Sequence, residues 1–171
     1  DEGACEGYTG TVLSQIGYSA DAVTTHATPS SDGLAEYDCA NPATSGTFKL
    51  SASCTLTEEV ILTGELTIIG QTENMTNLVT ITAATDKRHF KLDSPTHKLN
   101  IWYLKLTGGD VAYYDSSKEG GSIWIYHDGG ELNVYYSEIS DNQAKFGGAI
   151  YAQTNDYGAT VNIYNSIIKN N

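Results

Sequence analysis

With 171 residues, the chain is long enough to bury one hydrophobic core without help from metals or many disulfides. Its 17 glycines, 12 tyrosines and 3 prolines are typical of strands and turns, and no run of about 18 apolar residues is present, so we expect no membrane insertion by this chain. The balance of 9 basic against 21 acidic residues gives a net charge of -12, which argues against nucleic acid as a partner because phosphate would be repelled.

The N-terminal region, residues 1–53, is rich in Gly, Ser, Thr and Ala and has no lasting apolar period. We predict an irregular region that caps the repeats that follow, with a linker or docking arm as the alternative. The chain starts at Asp1 without a Met or an apolar leader, which favours a mature secreted or cell-surface chain, or a fragment of a longer protein.

Two further features suit a secreted protein. The cysteines are Cys5, Cys39 and Cys54, so at most one disulfide forms within the chain. We predict Cys5 with Cys39, and the other two pairings stay open. Asn74 begins the triplet Asn-Met-Thr, a glycosylation acceptor if a eukaryote secretes the chain. Because the cysteines lack paired spacing, neither a zinc site nor any other cofactor is expected.

An internal repeat dominates the rest of the chain. LNIWYLKLTGG from Leu99, LNVYYSEISDN from Leu132 and VNIYNSIIKNN from Val161 align without a gap, with starts 33 and then 29 residues apart. A fainter copy, LTIIG, begins 33 residues before Leu99, at Leu66. Repeats of this length predict stacked units that bury a shared core.

A second set of short apolar segments lies between these copies, starting at His89, Ser122 and Ala149. Glycine pairs precede the last two segments, at 120–121 and 147–148, and predict tight corners. Each repeat therefore holds at least two short strands, and alternation points every second residue into the core. We predict an all-β fold, a right-handed parallel β-helix over residues 54–171. Either the repeat continues beyond residue 171 in the native protein, or another molecule stacks on its last unit.

The inward positions share aliphatic or aromatic side chains in matching places: Leu99 and Ile101, Leu132 and Val134, Val161 and Ile163, then Leu106, Ile139 and Ile168, and in the second set Phe90, Leu92, Ile123, Ile125 and Ile150. Two motifs recur with them. One is a glycine pair followed by a small residue and isoleucine, at 120–123 and 147–150, and the other is an apolar residue three places before asparagine, at 139–142 and 168–171.

These motifs resemble the repeat of the chlamydial polymorphic outer-membrane proteins and of related β-helix proteins of algae and other protists. The resemblance covers residues 54–171 and implies a right-handed solenoid with an adhesive or surface-structural role. The segment 106–109 departs from the pattern, since Gly109 stands where the other copies have asparagine. We expect that turn to lack the stacked amide of its neighbours.

Aromatic residues mark the outward positions. Trp102, Tyr135 and Tyr164 align in the first set, and Trp124 aligns with Tyr151 in the second. Stacked strands would place these rings about 4.8 Å apart in exposed ladders that bind sugars or neighbouring proteins. The alternative is that aromatic residues simply favour strands.

Polar residues also align on this outward face. Asn100, Asn133 and Asn162 should form a ladder of stacked amides that stabilises the coil. Lys98 lies between Glu65 and Glu131 in the alignment, which predicts alternating charges along the surface.

Catalytic patterns are weak. Arg88 with Asp86 and Asp93, in a polar turn, is the nearest candidate for a calcium-dependent polysaccharide lyase, and no pair of aligned acids suits a glycosidase. The four histidines share no metal-binding spacing, and we predict surface or turn positions for all of them: His26, His89, His97 and His127. We therefore predict no enzyme but an extracellular structural or adhesive module that mediates protein assembly or glycan contact. A lyase or glycosidase and a passive spacer in a larger surface protein are the alternatives.

Overall fold

The structure, a computed structural model, describes residues 26–72, 74–111, 119–126, 129–153 and 158–171. Cys5 and His127 lie outside the described residues, and so do residues 1–25 of the predicted N-terminal region. Within the described ranges the chain forms strands and no helix, and accordingly no helix that could cross a membrane.

Three parallel sheets are stacked into a β-solenoid of about four turns, which confirms the predicted fold class. Sheet A contains β1 Gly46–Leu50, β4 Glu65–Gly70, β7 Lys98–Trp102, β10 Gly130–Tyr135 and β13 Ala159–Tyr164. Sheet B contains β2 Cys54–Thr55, β5 Val79–Thr82, β8 Leu104–Thr107, β11 Glu138–Ser140 and β14 Ile167–Lys169. Sheet C contains β3 Val60–Ile61, β6 Phe90–Leu92, β9 Ile123–Ile125 and β12 Ile150–Ala152. We call one pass through the sheets a rung, so that β1 begins rung 1 and β13 begins rung 5.

The sequence repeat is the structural register. Leu132 pairs with Leu99 on one side and with Val161 on the other, as the alignment predicted. The inward residues of rungs 2 to 4 form one continuous core in which all but the half-buried Val79 and Ile150 are shut off from solvent. Residues of neighbouring rungs cover one another at equivalent positions. Repetition of one apolar pattern is thus converted into columns of packed side chains.

The corners between sheets need unusual backbone. Gly120 and Gly147 have φ of 64° and 62°, which glycine adopts at little cost, so the predicted tight corners are confirmed. The second glycine of each pair is required for a different reason, which is the lack of space for a side chain. A Cβ on Gly121 would collide with the carbonyl oxygen of Gly148 on the next rung. Each glycine pair therefore supplies one turn and one close approach of two rungs.

The terminal asparagines of the repeat form a second amide column inside the corner after sheet B. The Asn142 side chain donates to Asn171 Oδ1 at 2.9 Å, and Asn142 Oδ1 accepts from the Gly109 amide at 2.9 Å. Gly109 donates only through its backbone N–H and adds no side-chain amide to the column, as predicted from its departure from the motif.

A short segment before β1 covers rung 1. Glu36 pairs in parallel with Lys49, and the Tyr37 amide donates to Lys49 O at 2.8 Å, so one edge of β1 is occupied. The side chains of Tyr37 and Cys39 in this segment are buried. The solenoid therefore starts earlier than the predicted boundary at residue 54, because β1 at Gly46–Leu50 already pairs with β4.

The disulfide joins Cys39 to Cys54, with the Cα atoms 6.1 Å apart, so the predicted pairing of Cys5 with Cys39 is wrong. The reason is local: the segment that covers rung 1 places Cys39 directly beside the start of β2. Spacing along the chain could not reveal this proximity. The bond fastens the covering segment to the first rung.

Candidate functional site on the outer face of sheet A

Alternating charges line one margin of sheet A. Glu65, Lys98 and Glu131 are in register on successive rungs, which confirms the predicted alternation. Lys98 Nζ lies 3.0 Å from Glu131 Oε1. Hydrogen bonds from Asn133 and then from Lys98 hold the pKa of Glu131 below its usual value, and the Glu131 carboxylate raises the pKa of Lys98.

Next to the charges runs the predicted ladder of amides. Asn162 donates to Asn133 Oδ1 and Asn133 donates to Asn100 Oδ1, both at 2.8 Å. Asn100 continues the chain of hydrogen bonds to Glu65 at 2.9 Å and to Thr67 at 3.0 Å. The ladder is confirmed, and every rung from 2 to 5 contributes a side chain to it.

Replacing Asn133 with alanine should lower the free energy of unfolding by about 2 kcal/mol, because it leaves the buried Asn100 Oδ1 and the half-buried Asn162 amide without their partner. Chemical denaturation followed by circular dichroism measures the loss. Asn77 sits in an exposed turn, and its replacement by alanine is the control, with an expected change of less than about 0.5 kcal/mol. Equal effects of the two variants would show that the side-chain hydrogen bonds of the ladder do not contribute to the free energy of unfolding.

The predicted aromatic ladder forms, but it is not an exposed platform. Tyr135 lies between Trp102 and Tyr164, with ring centroids 3.9 and 5.1 Å away and interplanar angles of 15° and 10°. Ring faces that stack on one another are closed to sugar rings. Trp102 is only 6% exposed, so the prediction that it stands out to solvent is wrong.

Residues 26–34, which we call the strap, cover this column. The His26 ring lies 4.1 Å from that of Tyr164, and Thr28 Oγ1 is 3.0 Å from the Tyr103 hydroxyl oxygen. Leu34 packs against Trp102 and its neighbours at the other end. The strap therefore crosses the outer face from the last rungs to the first, and His26 rests on rings instead of lying free at the surface.

A second aromatic column escaped the sequence analysis. Tyr103 and Tyr136 stack with centroids 5.1 Å apart at 8°. Both have positive φ, 51° and 47°, where the chain turns from sheet A to sheet B. The signal was in the sequence, since an aromatic residue follows directly after both Trp102 and Tyr135.

On sheet C, Trp124 and Tyr151 are in register as predicted, but Trp124 is buried and makes other contacts. The Arg88 guanidinium carbon lies 4.4 Å and Lys91 Nζ 5.1 Å from the centroid of the indole ring. Two cations on the ring stabilise the rung. The prediction that Trp124 is an exposed contact residue is wrong.

The residues behind the lyase alternative do not form an open site. Arg88 is fully buried, with Nε 3.8 Å from Glu59 Oε2, instead of lying in a polar turn. Asp93, whose side chain is 35% exposed, pairs with Lys91 at 3.5 Å and with His97 at 3.3 Å. A polymer could not reach the Arg88 side chain, so its position gives the lyase alternative no support.

His89 was predicted at the surface or in a turn, and this is wrong. Its side chain is fully buried at the corner between sheets B and C. Nε2 is 3.1 Å from the carbonyl oxygen of Ile81, and Nδ1 is 3.0 Å from Ser122 Oγ. A carbonyl only accepts, so Nε2 carries the proton and Nδ1 accepts from the serine.

Asn74, the predicted glycosylation acceptor, lies in an exposed turn between β4 and β5. Its Oδ1 accepts hydrogen bonds from the Thr76 amide at 2.9 Å and from the Thr76 hydroxyl at 2.8 Å. The side chain is accessible, and its modification stays a prediction.

No group of three or more His, Cys, Asp or Glu side chains within the described ranges is placed to hold a metal ion. The chain matches no known protein family, no curated protein and no solved structure.

Proposed function

We propose that the chain is a non-catalytic structural module of a secreted or cell-surface protein, and that its last rung assembles with a further β-solenoid rung. The observation that carries this proposal is the contrast between equivalent positions on neighbouring rungs. Val134 is fully buried on rung 4, whereas Ile163, its partner on rung 5, is 41% exposed. Val161 and Ile168 share this exposure, at 38% and 43%.

The surface at rung 5 combines unpaired strand edges with exposed aliphatic side chains. β12, β13 and β14 are edge strands of their sheets, so their outer backbone groups are ready to pair with added strands. Between these strands lie the inward aliphatic side chains. A partner that provides matching strands and apolar residues would bury both, as each rung does for the one before it.

The opposite end is not equivalent. At rung 1 the segment around Tyr37 occupies the edge of β1, and the Cys39–Cys54 disulfide holds it there. Association at that end would have to displace this segment. We therefore expect assembly at the rung 5 end, and this expectation supports an assembly module over a passive spacer.

The resemblance to the polymorphic outer-membrane repeats supports a surface location, and a disulfide suits an oxidising compartment. The strap and the mutual stacking of the rings argue against broad glycan stacking on the aromatic column, so protein assembly is the better-supported role.

Replacing Ile163 with glutamate is the test. We expect the unmodified chain to self-associate through rung 5 as its concentration rises in analytical ultracentrifugation, and the variant to remain monomeric, since a charge at this position would be buried in the interface. No strand within the described ranges covers Ile163 on its outer side, so the monomer should keep its melting temperature.

Ile61 is the matched control, because it is an isoleucine of similar exposure, 47%, on the outward side of β3. Its replacement by glutamate should leave association unchanged. A chain that stays monomeric up to its solubility limit, or two variants that behave alike, would contradict the proposal and favour a passive spacer.

A further inference from the structure

We infer that two copies of the chain form a closed dimer, in which rung 5 of one copy stacks on rung 5 of the other around a two-fold axis through the middle of β13. This dimer rests on the proposed function, the assembly through rung 5, and specifies the partner as a second copy of the chain. Because a two-fold axis uses the same surface on both copies, assembly stops at two chains.

The rung 1 end is a poor partner for rung 5, because the segment that covers rung 1 is bonded near all three sheets. Besides its bonds to β1, it meets the chain shortly after β2, where the Thr57 amide donates to Cys39 O at 3.3 Å. It meets the chain again after β3, where the Thr63 amide donates to Thr44 O at 3.1 Å. Head-to-tail stacking would have to break these bonds, whereas stacking of rung 5 on rung 5 breaks none of them.

The lengths of the edge strands select the position of the axis. At the open end these strands are β12, β13 and β14, with three, six and three residues. A two-fold axis perpendicular to the solenoid reverses the direction of the chain, so that one strand pairs with its own copy and the other two exchange partners, all antiparallel. With β13 on the axis, β13 pairs with β13 and β12 pairs with β14. Every strand then meets a partner of equal length.

The rise of the coil gives the same answer. A coil that advances by one strand spacing, about 4.8 Å, per turn places β14 further out than β13, and β13 further out than β12. Exchange of β12 and β14 puts the outermost strand of one copy opposite the innermost strand of the other. The distance across this pair then equals the distance across the β13 pair, so all three strand pairs can close together. An axis through β12 or β14 would leave one pair too far apart.

Alternation along β13 fixes how the two copies of this strand are aligned. Residues directly opposite one another in an antiparallel pair point to the same face. Val161 and Ile163 are inward positions that are exposed on rung 5, so Val161 of one copy opposite Ile163 of the other buries both side chains. A shift by two residues would instead put Ile163 opposite the smaller Ala159. The apolar contact therefore favours the first alignment.

This alignment places Asn162 opposite its own copy, on the axis itself. Asn162 donates to Asn133 Oδ1 at 2.8 Å within its own chain. An asparagine amide carries a second N–H and an oxygen, so two copies of Asn162 can donate to each other. The ladder of amides on sheet A would then continue through the interface into the second copy.

The test is a cysteine placed on the axis, in the full chain with Cys5 replaced by serine. Asn162→Cys then provides the one thiol outside the Cys39–Cys54 disulfide. Directly opposite residues have Cβ atoms about 5 Å apart, so we expect a disulfide-linked dimer on oxidation by air. Adding Ile163→Glu should lower the cross-linked fraction by about tenfold or more, because it places a charge in the interface.

Thr160→Cys is the matched control, since Thr160 is on the same strand and the same face as Asn162. In the inferred alignment Thr160 lies opposite Tyr164 of the second copy. The two copies of Thr160 are therefore about 14 Å apart, four residues along the strand pair, which is too far for a disulfide.

Sedimentation of the unmodified chain separates this inference from the proposed function. A mass that levels off at two chains as the concentration rises supports both. Assemblies that keep growing with concentration would overturn the closed dimer while leaving assembly through rung 5 in place. Equal cross-linking of the two cysteine variants would likewise overturn the dimer alone, whereas a chain that stays monomeric would overturn both.

Discussion

Replacing Gly70 with alanine is expected to destabilise the protein by about 3 kcal/mol or more. Gly70 ends β4, and a Cβ there would collide with the carbonyl oxygen of Tyr103 on the next rung and approach Leu104 Cδ2 to 3.1 Å. Moving the Tyr103 carbonyl away from this Cβ would cost free energy. Tyr103 sits at the corner with φ of 51°, and its amide donates to Tyr135 O at 3.1 Å, so a shift would strain two rungs.

Urea denaturation measures this loss, and Gly64 gives a control six residues away, immediately before the same strand. A Cβ on Gly64 would meet nothing closer than Ser45 Cβ at 3.5 Å, an ordinary contact. The Gly64→Ala variant should therefore unfold within about 1 kcal/mol of the unmodified chain. If both alanines cost the same, the close approach of the two rungs at Gly70 is not as described.

Stability should fall by about 3 kcal/mol as the pH is lowered from 6.5 to 4, because His89 is buried as a neutral base. Burial lowers the pKa of His89 from 6.5 to about 4, against hydrogen bonds that favour the charged form. Between pH 6.5 and pH 4, His89 binds a proton in the unfolded chain but stays neutral in the folded chain, so protonation favours unfolding. Below pH 4 both states are protonated, and this contribution stops changing.

The measurement is the free energy of unfolding in urea at several pH values. The His89→Gln variant loses the titrating group and should show little slope between pH 6.5 and 4.5. His97 lies 3.3 Å from Asp93 outside the core, and the His97→Gln variant is the control that should keep the slope. A slope that survives in His89→Gln would assign the pH dependence to another group.

Acidic side chains change the stability in a lower pH range than His89, so the two contributions to the pH dependence can be separated. Burial opposes the charge on Glu138, but hydrogen bonds from Ser140, Lys169 and Lys105 outweigh it and lower the pKa to about 2. A carboxylate with a lowered pKa stabilises the fold above pH 4.5, and that stabilisation is lost as the pH falls toward 2. The steep loss above pH 4.5 is therefore the property of His89.

The aligned columns were predictable because a solenoid turns sequence period into spatial neighbourhood. Asn100, Asn133 and Asn162 meet only because each lies at the same place in its repeat, and their hydrogen bonds follow from that register alone. The same holds for the charges at Lys98 and Glu131. Contacts between equivalent positions of the repeat can be predicted without information about any other part of the chain.

Contacts outside the repeat were not predictable in this way. The strap has no apolar period, and nothing in its composition indicates that His26 reaches Tyr164. The same is true of Cys39, whose partner depends on where the segment that covers rung 1 lies. Arg88 and His89 looked like turn residues because they are polar, yet both lie inside the fold.

The sequence by itself determined the parallel solenoid, its register, its polar columns and the aromatic column of Trp102, Tyr135 and Tyr164, since short repeats bury their apolar faces by stacking equivalent strands. Only the tertiary structure decided which columns face solvent. Exposure depends on what crosses the outer surface, and the strap does so through side-chain contacts that obey no period. It covers the aromatic column and leaves rung 5 with its aliphatic residues open.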